Sequence, residues 1–208
     1  MPKSEHERAE IRRKIEANRR SEKDRASHEN ARGKKLPSLS DLSRMKPTEE
    51  EISQLFDLME NESDRGSALV AGSFLETGLE MSIACLMVAD IPIIESIFDG
   101  AMAPGKSFSA KIKLGLALGR YGPITADRLT IVKDIRNAFA HALRPLDFTH
   151  PTIVAACDKL YGPPFFSGNP SPEIGARAKY LAFCHVLFAP LYHQAQRDGD
   201  REITYSLP

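Results

Sequence analysis

The 208-residue chain has no tryptophan and only three cysteines, Cys85, Cys157 and Cys184. An odd, widely spaced set without a CxxC pair argues against a disulfide framework and against a zinc clasp. Their neighbours, such as Ala84, Leu86, Ala156 and Phe183, suit reduced core thiols. No stretch reaches the roughly 20 apolar residues of a membrane span, and from Lys3 onward the N-terminus is charged, without the apolar core of a signal peptide. A cytoplasmic protein without membrane association is therefore expected. The histidines also lack metal-ligand spacing: His185 and His193 are eight residues apart, and His6 and His28 lie in a charged segment. A serine elbow, a dinucleotide fingerprint, a basic recognition helix and an internal repeat are absent too. No cofactor is expected.

What is present is a globular composition, 42% hydrophobic and 27% charged, long enough for one domain with a substantial core. Net charge is zero, but unevenly placed. Residues 1–47 hold 14 Lys/Arg against 8 Asp/Glu, and the remainder holds 14 against 20. A basic arm precedes an acidic body, so nucleic-acid contact would begin at the arm or in a local pocket. The plainer reading of the arm is a solvated tail. Residues 2–35 are rich in helix formers, yet Ile11 and Ile15 are their only large apolar side chains, too few to fold alone. Pro37 and Pro47 mark a linker, giving an arm and linker over 1–47, a helical domain over 48–197 and a tail over 198–208.

Helical spacing dominates the domain. Thr48 and Glu51 have the form of a capping box before Ile52, Leu55, Phe56 and Met59. A long helix is expected from about Asp64 to Ala89, with Leu75, Leu79, Ile83 and Leu86 on one stripe and Glu76 and Glu80 one turn apart on another. Residues 109–120 fit both periods, because Ile112, Leu114, Leu116 and Leu118 alternate while Ile112/Leu116 and Leu114/Leu118 keep helical spacing. A further helix is expected from an N-cap at Thr125 through Leu143, with Ile131, Ile135, Ala138, Phe139 and Ala142 as its apolar arc. Two more are expected over 151–161 and 173–196, giving an all-α fold.

Two stretches look chemical. Residues 100–107 (GAMAPGKS) match the phosphate-loop pattern, but such a loop needs a buried strand before it, neighbouring parallel strands and a strand-end carboxylate for magnesium. The sequence offers none convincingly, so the stretch reads as a turn capping the next helix through Ser107 or Ser109. Residues 136–141 (RNAFAH) put an Arg and a His on one helix. At about 100° per residue, Asp134, Asn137 and His141 share one edge of the apolar arc and Arg136 lies about 140° from His141, near the opposite edge. The two converge only if Arg136 wraps over the arc or a twofold dimer brings in a second copy. His141 would then act as general base or acid on a ribose 2′-hydroxyl, with Arg136 stabilising phosphate charge and Asn137 orienting. In the structural alternative, Arg136 pairs with Glu76 or Glu80, and His141 caps a helix end or bonds a neighbouring carbonyl. Neither Cys157/Asp158 nor Cys184/His185 makes a nucleophile and base, since adjacent residues on a helix point apart.

Four stretches in order, SFLETGLE at 73–80, GKSFSAKIKLGLALG at 105–119, DIRNAFAHAL at 134–143 and the following Asp147-Phe148, resemble the mannitol operon repressor family. The resemblance implies an all-helical fold, makes 109–120 a helix, and places Gly105 through Lys111 on the family's Gly-Ser-Phe-Ser-type segment, from which Lys106 departs. It also implies transcriptional repression without a DNA-reading motif, through a partner protein. The basic arm lies outside the resemblance. RNAFAH is similar, in addition, to the R-x4-H signature of the HEPN superfamily, which includes metal-independent ribonucleases and silent relatives. That similarity implies a catalytic role for Arg136, Asn137 and His141 only; Glu76, Glu80 and Asp134 are expected, from their positions, as polar partners of the stretch. The expected assembly is a homodimer that binds a protein or a nucleic acid.

Overall fold

Residues 64–84 contain so many small and apolar side chains that no single face can hold them, and they become the central helix. The computed structural model describes Leu42, Met45 and residues 48–87, 91–100, 102–166 and 174–199, with side chains as far as His193. The expected arm over 1–47 and tail over 198–208 therefore fall almost wholly outside the described residues. Seven helices and no strand occur among those described: α1 (Glu49–Asn61), α2 (Asp64–Ala84), α3 (Ile91–Phe98), α4 (Phe108–Ala117), α5 (Pro123–His141), α6 (Pro151–Asp158) and α7 (Ala176–Gly199). The described part of the chain is all-α, as expected.

The capping box forms as read. The Thr48 amide donates to Glu51 Oε2 at 2.7 Å and the Glu51 amide donates to Thr48 Oγ1 at 3.3 Å. These bonds satisfy two donors that the first turn leaves without helical partners. They also hold the Glu51 carboxyl below its ordinary range, through hydrogen bonds from the backbone and then the side chain of Thr48. α1 buries Met59 and lays Ile52, Leu55 and Phe56 against the core.

α2 stops at Ala84, five residues before the expected end. The amides of Leu86 and Met87 reach back three residues, to the carbonyls of Ile83 and Ala84, and tighten the chain out of the α ladder. Leu75, Leu79 and Ile83 are wholly buried, whereas Leu86, beyond the helix, is half-buried. Two glycines of α2 let its neighbours come close. A Cβ on Gly78 would lie 2.7 Å from the Phe188 ring of α7, and one on Gly72 would lie 2.8 Å from Arg136 Cγ of α5. The ring of Phe74 consequently stacks on Phe188 with centroids 3.7 Å apart. Tyr180 of α7 donates its buried hydroxyl to the Ala68 carbonyl at 3.0 Å.

Residues 109–120 are helical where they are ordered into α4. Phe108, Lys111, Ile112 and Gly115 are buried at the 3–4 spacing of a helix, and Leu116 and Leu118 stand outside. Alternation among the leucines was thus the misleading signal. α5 begins at Pro123, two residues before the expected Thr125 cap, after a Gly122 that makes no side-chain cap bond. Proline suits this first position because its fixed φ is already helical and its missing N–H would be unpaired anyway. The helix ends at His141, since Ala142 is extended, and Leu143 is left outside. Its buried face runs through Ala126, Leu129, Val132, Ile135 and Phe139, while Ala138 is exposed. The face is rotated from the expected arc because Leu129 and Val132, omitted there, belong to it.

α6 ends three residues before the expected 161, and α7 starts three residues after the expected 173. Arg177 joins α7 to the junction between α1 and α2. Its Nη2 donates to the carbonyls of Glu60 at 2.8 Å and Glu62 at 2.7 Å, and its Nη1 meets Asp64 Oδ1 at 3.3 Å. The second oxygen of Asp64 accepts from the Phe148 amide at 2.9 Å, which ties the loop after α5 to the same corner.

Candidate functional site

Rotation of the α5 face decides where the chemical residues go. Arg136, three and four residues from Phe139 and Val132, lies over the seam with α2. His141, about 140° further round by helix geometry, is exposed in the last turn. The sequence reading placed the two at opposite edges of one arc. The structure instead puts Arg136 inside that face and His141 on the solvent side.

The inward group centres on a lysine that sequence reasoning passed over. Lys111 of α4 extends its ammonium between Glu76 and Glu80 of α2, at 2.9 Å from each, and the three side chains are 8%, 17% and 39% exposed. Burial alone would push the Lys111 ammonium down. Hydrogen bonds and charge attraction from Glu80 and Glu76 outweigh it, so the group is held above its ordinary value. The expected pairing of Arg136 with Glu76 exists only at long range, 3.9 Å from Nη2 to Oε2. Arg136 Nη1 donates to Asn137 Oδ1 at 3.1 Å, and its buried Nε has no hydrogen-bond partner. Of the six expected residues, Glu76 and Glu80 hold Lys111, while Arg136 approaches Glu76 and carries Asn137 with it.

The other two do not join them. Asp134 is exposed and pairs with the neighbouring Lys133 at 2.9 Å. The carbonyl that follows His141, that of Ala142, is taken by Arg65 Nη2 at 2.7 Å, so arginine rather than histidine caps the end of α5. His141 itself makes no hydrogen bond or ion pair among the described residues. A signal for Lys111 was present in the sequence: it lies three residues after Phe108 and four before Gly115, on the inner face of a helix. Two glutamates one turn apart on another helix supply the charge that a lysine so placed needs.

The remaining motifs resolve as structural. In the apparent phosphate loop, the Gly105 amide donates to the Ile97 carbonyl at 2.7 Å and is unavailable to a phosphate, Lys106 is exposed, and Ser107 caps α4 by accepting from the Ala110 amide at 3.1 Å. No strand precedes it among the described residues. Burial pushes the Cys157 thiol up to about 12 and the Cys184 thiol higher still, so both stay protonated near neutral pH. Asp158 is engaged by Lys179 at 2.8 Å rather than by Cys157. Among the described residues no three His, Cys, Asp or Glu side chains gather as metal ligands, and no helix is long and apolar enough to cross a membrane.

The arrangement holds the Lys111 ammonium between two carboxylates, sets Arg136 over the seam with α2 and presents the His141 imidazole to solvent. No family model, no curated protein and no solved structure matches this chain.

Proposed function

We propose that this chain is a non-enzymatic, repressor-like regulator, a helical module that lowers transcription of a metabolic operon by binding another macromolecule. The observation that carries the reading is the division of α5. General acid–base catalysis needs its groups within hydrogen-bond reach of one substrate, and here Arg136 is turned to α2 with Glu76 and Asn137 while His141 faces solvent. The transcriptional part rests on the four stretches that resemble the mannitol operon repressor family. A protein is the favoured partner in a cytoplasmic setting, with the chain itself as a homodimer. The basic arm over 1–47 is the element through which nucleic acid would be held instead. Were DNA bound directly, deletion of 1–47 would lower affinity and flatten its salt dependence.

A second reading is favoured by two observations: the buried Arg136 Nε without an acceptor, and the exposed His141. Two copies would then form a groove in which Arg136 and His141 cut RNA without metal, as in a HEPN-type ribonuclease. One pair of measurements separates the readings. Labelled structured and single-stranded RNA is incubated with the parent and with His141→Ala, in chelator and then with magnesium. Transcript levels are compared between cells lacking the chain, cells carrying it and cells carrying His141→Ala. Absence of cleavage, with one operon derepressed on loss and repressed again by either version, is the expected result. Metal-independent cleavage by the parent alone would sink the regulatory reading.

A further inference from the structure

Most turns of a water-exposed bundle show polar side chains to solvent and turn apolar ones inward. The turn between α4 and α5 does the reverse. From Leu114 to Ala126 the sequence LGLALGRYGPITA contains one charged residue, Arg120. Its guanidinium is directed into the bundle, with Nη2 donating to the Ser82 carbonyl at 2.6 Å and Nε to the same oxygen at 2.9 Å. The neighbouring Tyr121 likewise turns its hydroxyl inward, donating to the Ile112 carbonyl at 2.8 Å. With both long polar side chains of the turn committed inward, the outside is left to Leu116, Leu118 and Ile124, which are 40%, 46% and 57% exposed, and to Ala117 and Pro123. Single exposed leucines need no explanation, but a run of apolar side chains at one hairpin end, whose long polar side chains both turn inward, has the composition of an interface core.

The charges that flank this apolar end select its occupant. Lys113 is exposed on α4 one turn before Leu116, and Asp127 is exposed on α5 one turn after Ile124. An apolar centre bordered by one exposed cation on α4 and one exposed anion on α5 can be complementary to itself, because a twofold axis through the centre can set each lysine against the other copy's aspartate. From these observations we infer that the α4–α5 turn is the surface on which two copies of this chain associate, with Leu116, Leu118 and Ile124 at the centre and Lys113 and Asp127 paired across the axis. The inference deepens the homodimer part of the proposed function by naming the surface, and does not depend on the regulatory part. It leaves the outer face around His141 outside the contact.

Sedimentation velocity of the full chain over a concentration series tests it. The parent is expected to shift from monomer to dimer. Leu116→Glu should raise the dissociation constant by about tenfold or more, as loss of a central apolar contact does. Lys113→Glu and Asp127→Lys, both on exposed positions that leave folding intact, should each weaken the dimer several-fold, and the double variant should restore it. A parent that stays monomeric throughout would overturn both the dimer and its surface. A parent dimer indifferent to all of these substitutions would overturn the surface alone, leaving homodimerisation standing. Weakening by each single charge variant without recovery in the double variant would overturn the twofold pairing.

Discussion

The face of α5 that carries Arg136 and the face that carries Asp134 and His141 differ in what surrounds them, although only four residues lie between the arginine and the histidine. On the inner face, Arg136 lies against the bare backbone of Gly72, close to Glu76 and to the Lys111 ion pairs. On the outer face, Asp134 meets only its neighbour Lys133, and His141 meets solvent. A string of residues that reads as one chemical motif is thus split by helical geometry into a part that packs against the bundle and a part that faces solvent. Charge on the inner face should be felt as stability, and charge on the outer face only as function.

If that division is right, the largest effect belongs to Lys111. Replacing it with Met leaves Glu76 partly buried without its counter-ion, and should lower unfolding free energy by about 3 kcal/mol in urea titration, as breaking a buried pair does. Adding Glu76→Gln should recover part of the loss. The pH dependence carries a sign. Because the folded Lys111 ammonium is held above its ordinary 10.5, its stabilisation is complete below that pH and is lost as pH rises through the raised value. The gap between parent and Lys111→Met should therefore narrow in alkaline titrations above about pH 10.5 and stay constant between pH 7 and 9. A gap that is unchanged at high pH would show that Lys111 contributes packing rather than charge.

Next in size is Gly72→Ala. The new Cβ would lie 2.8 Å from Arg136 Cγ and 2.9 Å from Arg136 Cβ, at the rigid root of the side chain rather than its mobile end. Separation of α2 from α5 should cost about 2 kcal/mol, in the range of overpacked cores. Thr48→Ala removes the capping box outside both faces and should cost about 1 kcal/mol, read as faster amide exchange in α1 alone. The smallest effect is expected at His141, where substitution by Ala should change stability by less than about 0.5 kcal/mol. A loss of 2 kcal/mol or more there would erase the distinction between the faces.

How far these features were legible in the sequence depends on whether they are local. The capping box at Thr48 and Glu51 and the stripe Leu75, Leu79 and Ile83 could be read because capping and periodicity are written in consecutive residues. Helix identity for 109–120 was open to residue spacing alone, since four leucine or isoleucine positions fit two periods. It was decided by which neighbours bury Phe108 and Ile112, which is a tertiary matter. The orientation of α5 was misread for a related reason. Ile131 and Ala138 fit an apolar stripe as well as Leu129 and Val132 do, and only packing against α2 selects the second pair. Glu76 and Glu80 were found as a pair one turn apart, but their partner, 31 residues beyond the nearer of them in the sequence, carried no mark except a lysine on the apolar side of a helix.

The clasp made by Arg177 has a consequence for how the chain is made. Its donor sits on α7, the last of the described helices, and its acceptors lie at the junction between α1 and α2. During synthesis α1 and α2 leave the ribosome well before α7, with Phe74 and Gly78 still lacking the Phe188 ring that will cover them. The central helix must wait for the last one. A growing chain of this design is at its most adhesive until α7 emerges, and that interval is when a chaperone would have the most to hold.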